Sequence, residues 1–501
     1  MPAMPDAPIL SSLHTTTLPL PPSCIAFVPR FREWFVVGTY FLERGEEVEQ
    51  VEEVEGQKRS GSMVLARLGE GEGRDVTITA THPTPFAVFD LHFSPHDTSA
   101  IPSSSHLLGL ASSTGSIALY AIDPASATAP IRHIRTLQLF PTTSLFTYFC
   151  WHPTIPLLAA AALADGRVVL CDCSGNADDD DDDDDAAAAA ATSPSYRRIV
   201  TLHWHALEAW VTAFAPDGSA LYSGGDDAAL KGVGLPAPAA GAALSASAYL
   251  AALSSSQPGD GEEGEEEVQE VQEEDAEEPQ YVAPWQWQDA RTHGAGLTFI
   301  LPLPLPLPLS PHHHHQQPST PTPTTTPPAP PLPPTDLLLT GSYDESLRLL
   351  SPPARNGLGP RRSRVLAAIE LGGGVWRICA VDSRLDVPVA PVVREGSKTA
   401  KATAEWILLV SCMHAGTRVV RLTGTAACSA AGGNGDEKEG EGEGEGEGEW
   451  EWQFDVLARF EEHQSMNYGS AVQPLRAGEG KNTRTVVSTS FYDRPVCVWE
   501  F

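Results

Sequence analysis

The chain has 501 residues, 42% hydrophobic and 19% charged, with a formal net charge of −33. No window holds the roughly 18 uninterrupted apolar residues of a membrane span, and the N-terminus lacks the basic region and apolar core of a secretory signal. Eight cysteines without a C-x-x-C argue against a disulfide scaffold or zinc ribbon and for a reducing compartment, so the expected location is cytoplasmic.

The charge is unevenly spread. The run Asp178 to Asp185, the stretch from Asp260 to Glu278 and the stretch from Asp436 to Glu451 together hold 29 of the 65 acidic residues. Such runs are expected to be solvated, disordered insertions. The remainder is mildly acidic and carries no basic nucleic-acid footprint.

In chain order, residues 1–22 are expected to be disordered, and the folded domain is expected to run from 23 to 501. The first strand-turn unit is "EWFVVGTYFLE" (Glu33 to Glu43). The second is "LLGLASSTGSIALYAID" (Leu107 to Asp123), and the third is "LLAAAALADGRVVLCD" (Leu157 to Asp172). "LYSGGDDAALKGV" (Leu221 to Val233) and "LLLTGSYDESLRLL" (Leu337 to Leu350) share a Gly-x-x-Asp turn with an alternating strand after it. "ILLVSCMHAGTRVVRL" (Ile407 to Leu422) is a looser copy, and "VVSTSFYDRPVCVWE" (Val486 to Glu500) alone keeps a Trp-acid ending. Low-complexity insertions near 44–60, 176–195, 235–280, 301–334 and 428–450 separate the units. Without them the units recur at roughly the 40–50-residue period of propeller blades. The pattern predicts an all-β fold, a single seven-bladed WD-repeat β-propeller with disordered insertions.

"FDLHFSP" (Phe89 to Pro95), "FCWHPTIP" (Phe149 to Pro156) and "VTAFAPDGS" (Val211 to Ser219) read as short strands running into Pro-containing turns. His205, His293 and His463 precede the first strands of blades four, five and seven, where a repeat His often braces the turn Asp, here Asp227, Asp344 and Asp493. No G-x-S-x-G elbow, P-loop, H-E-x-x-H or dinucleotide fingerprint is present. His312 to His315 lie in a Pro/Thr tract that reads as low complexity, and no metal site is expected. On these grounds alone the protein is a propeller suited to protein interaction.

Several strings go further. "VVGTYFLE", "EAWVTAF" with "LYSGGDDAALKG", "LLTGSYDESLRLL", "LGGGVWRI", "SCMHAGTRV", "EHQSMNYGS" and "SFYDRPVCVWE" occur in this order. Together they resemble the diphthamide-biosynthesis WD-repeat family, the diphthine methyl ester hydrolases once called diphthine methyltransferases. The likeness spans about Cys24 to Phe501, and it departs from the pattern in the long insertions and in "LKGVG", which lacks a Trp-Asp ending. The resemblance implies hydrolysis of the methyl ester of methylated diphthine on elongation factor 2. The products would be diphthine and methanol, with no cofactor, and a monomer is expected. A non-catalytic scaffold is the alternative. A methyltransferase is disfavoured, because no glycine-rich nucleotide-binding loop follows a strand.

Ester hydrolysis needs a nucleophile, a general base and an oxyanion stabiliser. The position before the turn Asp is Asp226, Tyr343, His414 and Tyr492 in blades four to seven, and all four should lie on one face. The expectation is that His414 or His205 acts as base, steered by Asp226 or Glu208. The Gly372–Gly374 amides, including those of Gly373 and Gly374, would bind the oxyanion. Tyr343, Tyr492 and Trp376 would hold the trimethylammonium by cation–π contact, with His293 and His463 lining the same face. The competing reading has these residues capping blades or binding the partner protein.

Overall fold

In a computed structural model, the structure describes residues 7–42, 58–71, 73–98, 101–175, 198–237, 244–254, 281–303, 336–355, 362–386, 401–427, 450–476 and 483–501. Seven antiparallel sheets follow one another along the chain as the blades of a ring. Blade one comprises β3 (Pro22–Phe27), β4 (Trp34–Thr39), β5 (Phe41–Leu42), β6 (Arg59–Leu68) and β7 (Val76–Thr84). Blade two is β8 (Val88–Phe93), β9 (His106–Ser112), β10 (Ser116–Ile122) and β11 (Ile131–Gln138). Blade three is β12 (Phe146–Trp151), β13 (Leu158–Leu163), β14 (Arg167–Asp172) and β15 (Ile199–Trp204). Blade four is β16 (Ala209–Phe214), β17 (Ala220–Gly225), β18 (Leu230–Gly234) and β19 (Gln286–Asp289). Blade five is β20 (Leu297–Leu303), β21 (Leu337–Ser342), β22 (Ser346–Ser351) and β23 (Arg364–Glu370). Blade six is β24 (Arg377–Asp386), β25 (Lys401–Ser411), β26 (Thr417–Ala427) and β27 (Glu451–Phe460). Blade seven is β28 (Gly469–Val472), β29 (Thr485–Thr489) and β30 (Pro495–Glu500). Six of the seven strand-turn units are the two middle strands of a blade. The first unit supplies only β4 of its middle pair, because β6 lies after the insertion, and the Pro-containing strings begin on the inner strands β8, β12 and β16.

The middle strands are buried on both faces, which explains their unbroken apolar runs. All six residues of β13, "LAAAAL", are buried. The turn Asp has a local cause. Its carboxylate accepts the amide two residues on, as in Ala229 to Asp227 (3.1 Å), Ser346 to Asp344 (3.1 Å) and Arg167 to Asp165 (3.1 Å). This holds the intervening residue in the left-handed region, at φ 55° for Ala228, 66° for Glu345 and 93° for Gly166.

The blades are hooked together by hydroxyls at recurring bulges near the start of inner strands. Ser23 donates to the Val88 carbonyl of the next blade (2.6 Å), Thr147 to Ala209 (2.5 Å), and Thr298 to Val375.

The N-terminus departs from expectation. Residues 1–22 were expected to be disordered, yet within the described part β1 (Ile9–Leu10) runs parallel to β27, and β2 (His14–Thr17) is antiparallel to β30. Blade seven supplies only three strands from its own segment, so β2 completes it and closes the ring. Such closure covers an edge that would otherwise expose unpaired amides. The insertions also extend less far than expected. Arg59 and Ser60 begin β6, and residues 301–303 end β20. A helix, α1 (Ala246–Ser254), forms inside 235–280 and packs Tyr249, Leu250 and Leu253 into the core beside β14 and β15. The rest of the five insertions lies almost wholly outside the described residues. Among the described residues no helix is long and apolar enough to cross a membrane.

Candidate functional site at the mouth of the bore

Backbone bonds tie blade turns to the loops entering inner strands, within a blade or from one blade to the next. The amide of Asp226 donates to the Glu208 carbonyl (2.9 Å), Tyr343 to Gly296 (3.0 Å), Val375 to Ser342 (3.0 Å) and Trp376 to Ser411 (2.8 Å). These loops and turns therefore share one face, as the alignment of the units requires.

On that face the half-buried Trp376 is the centre of an aromatic cluster. Its ring lies 5.7 Å from Trp210, 6.1 Å from Tyr343 and 4.9 Å from Tyr468 between centroids. The arc continues through Phe491 (5.3 Å from Tyr468), Tyr40 (6.0 Å from Phe491) and Phe89 (5.3 Å from Tyr40). Residues from six blades or their loops thus surround the mouth. Asp226 is anchored in the arc by a bond from the Trp210 indole nitrogen to Oδ1 (2.6 Å). Burial raises the Asp226 carboxyl above the ordinary value, with the charges of Glu208 and Asp227 adding to it. Burial, then the Asp226 charge, also raises the Tyr343 hydroxyl. Aromatic faces joined to two clustered carboxylates suit an alkylammonium group.

The other expected residues divide sharply. His205 is buried with both ring nitrogens engaged, Nδ1 with Asp227 (2.9 Å) and Nε2 with Ser223 Oγ (2.8 Å). Burial raises the Asp227 carboxyl, but the His205 bond and the amides of Ala206 and Ala229 outweigh it and draw it down to about 2. His293 is buried against Thr340 Oγ1 (2.9 Å), and His463 against Ser488 Oγ (2.9 Å), which also accepts the Trp499 indole (2.9 Å). Burial lowers both imidazoles to about 4. These three histidines brace blades. In blade four Val233 occupies the position of Trp499, and His203 supplies the bond to Ser223 Oγ instead (2.6 Å).

His414 is exposed at its turn and makes no bond to Asp226 or Glu208. Tyr492 is 69% exposed, and its ring packs on Phe491 alone among the described aromatics. Gly373 and Gly374 are buried, and a Cβ on Gly373 would stand 2.3 Å from the Cys412 carbonyl. Gly373 thus packs closely on the Cys412–Ala415 turn of blade six, and Gly374 packs against Met413 and Tyr343. Trp210, Tyr468, Phe491, Tyr40 and Phe89 were not singled out from the sequence. Each lies inside a string already quoted, so the signal was an aromatic next to a turn or at the head of an inner strand. Among the described residues no cluster of three or more His, Cys, Asp or Glu could hold a metal ion.

No protein-family model matches the chain, and no curated protein sequence matches it. Among the solved structures that align with it are two of low sequence identity. One is a mitotic checkpoint complex, 11% identical, covering 100% of this chain and 94% of that chain with a TM-score of 0.45. The other is Sqt1 from Chaetomium thermophilum bound to the N-terminus of the ribosomal protein L10, 12% identical, covering 98% of this chain and 100% of that chain with a TM-score of 0.44.

Proposed function

We propose that this propeller is a diphthine methylesterase, which binds elongation factor 2 through the mouth of its bore and hydrolyses the methyl ester of methylated diphthine to diphthine and methanol. The observation that carries the reading is the Trp376, Trp210 and Tyr343 cluster joined to Asp226. Diphthine bears a trimethylammonium group, which cannot donate a hydrogen bond and is recognised by aromatic faces and a nearby carboxylate. The ordered blade-specific strings are the second support, and they supply the ester. The reaction consumes water and calls for no organic cofactor.

A second reading is a non-catalytic propeller that docks a methylated protein. It is favoured by the fate of the expected bases, since His205 is fully engaged and His414 is exposed without a bond to Asp226 or Glu208. Mass spectrometry separates the two. Elongation factor 2 carrying the methylated intermediate is incubated with the purified protein without added cofactor. Loss of one methyl group with release of methanol is expected. Binding without that loss would leave the docking reading.

A further inference from the structure

Below the mouth, side chains from well-separated blades meet across the bore. Arg377 opens β24 in blade six, and its Nη2 lies 3.6 Å from Oδ1 of Asp90 on β8 in blade two. The guanidinium carbon sits 5.2 Å from the centroid of Trp376, 5.1 Å from Tyr148 and 5.4 Å from Phe299. The second oxygen of Asp90 is 2.8 Å from Nε2 of His92, two residues further along the same inner strand. Asp90 is 3% exposed, whereas the His92 side chain is 35% exposed. With Nε2–H donated to Asp90, Nδ1 is left as an acceptor, and it has no hydrogen-bond partner among the described residues.

Packing does not call for this cluster. Blades here are braced by hydroxyls, loop histidines and turn aspartates, and a buried ion pair is rarely better than apolar filling. A histidine oriented by a buried carboxylate, with its other nitrogen free, is the arrangement of a general base.

We infer that His92, Asp90 and Arg377 form the ester-hydrolysing centre for a substrate whose ammonium group is held at the mouth. This rests on the methylesterase reading. Ammonium and ester share one carbon in methylated diphthine, so the ester lies beside its cation. Trp376 touches both the Asp226 arm, through Trp210, and Arg377. A water passes a proton to His92 Nδ1 as its oxygen bonds to the ester carbon. The resulting oxyanion faces Arg377. The carbon–methoxy bond then breaks, methoxide takes the proton from His92 and leaves as methanol, and the acid formed loses its proton to solvent. Asp90 is a positioning residue, holding the imidazole in one tautomer. Water is the fitting nucleophile, because the neighbouring Cys24 and Cys150 thiols are pushed up to about 12, by burial first and with the Asp90 charge adding to it.

The test uses the full chain with elongation factor 2 carrying methylated diphthine, following methanol release and complex formation. His92→Gln is expected to lower kcat roughly 100-fold or more with KM changed little, consistent with loss of a general base. Arg377→Lys should lower kcat by about 100-fold, as for a lost oxyanion donor. His92→Ala should regain turnover on addition of imidazole, which a structural role would not allow. Asp90→Asn should lower kcat while leaving KM near the parent value. If the parent is active and His92→Gln and Arg377→Lys both keep more than half its kcat, the bore is not the centre, although the methylesterase reading stands. If the parent binds the factor but releases no methanol, the methylesterase reading falls and this centre with it.

Discussion

Replacing Leu18 by Ala probes ring closure by the N-terminal segment. Leu18 follows β2, is 3% exposed and packs with Phe35, Val37, Leu68, Val496 and Val498 from blades one and seven. Its amide donates to the Arg494 carbonyl (3.0 Å), which fixes the segment to the last hairpin. Large-to-small changes at such sites cost about 2–5 kcal/mol, depending on how far the cavity collapses. A terminal segment can relax inward, so the lower half of that range, about 2–3 kcal/mol, is expected here. With a urea m-value of about 3 kcal/mol/M, the midpoint should fall by about 1 M. Leu13→Ala is the internal control, because Leu13 is 46% exposed in the same segment and should cost under about 0.5 kcal/mol. Urea unfolding followed by tryptophan fluorescence reads both. Equal, small shifts for the two variants would refute the packed N-terminus and restore the disordered one expected from the sequence.

Trp376→Ala and Asp226→Asn should each weaken binding of a trimethylammonium amino acid. A lost cation–π contact of about 0.5–2 kcal/mol corresponds to roughly 2- to 30-fold in affinity, readable by calorimetry. Thr147→Val should cost about 1–2 kcal/mol in thermal unfolding, since it removes the donor to the Ala209 carbonyl of the next blade and leaves that buried acceptor unmet. Asp227 carries a pH signature. Its carboxyl lies at about 2 in the fold against an ordinary 3.8, so its stabilisation is full above about pH 4 and is lost as pH falls through about 2. At about 1.4 kcal/mol per unit the ceiling is roughly 2 kcal/mol, and solvent screening brings the expectation to about 1 kcal/mol. The gap in urea midpoint between the parent and Asp227→Asn should therefore narrow between about pH 4 and pH 2, and a constant gap would refute it.

The seven blades were legible because each repeats a local solution. An apolar strand, an Asp turn with a left-handed residue and a second apolar strand leave the same mark in sequence and in space. The brace of His205 on the turn Asp227 was legible for the same reason, whereas His293 and His463 bond Thr340 and Ser488 within their blades and not the expected turn residues Asp344 and Asp493. The N-terminal strands were not legible. "ILSSLHTTTL" gains its strand pairing from partners more than four hundred residues away, Arg459 and Val498 among them. Helix α1 was hidden similarly, because an Ala-rich run inside an insertion gains its core contacts from blade three.

The site divides along the same line. The sequence placed Asp226 and Tyr343 on this face because they stand beside a turn that the repeat defines, and Trp376 because it follows the glycine loop. His414 shared that position, yet its turn leaves it in solvent, since equivalence along the chain does not set where a side chain points. Asp90, His92 and Arg377 lay unmarked in "FDLHFSP" and "GGGVWR", where they read as ordinary strand residues. By itself the sequence determined the blade, its turn and its brace, which depend on interactions within a few tens of residues. Tertiary structure alone decided the closure of the ring and the meeting of Asp90 with Arg377 across the bore, because only a closed ring brings the inner strands of blades two and six within reach of one another.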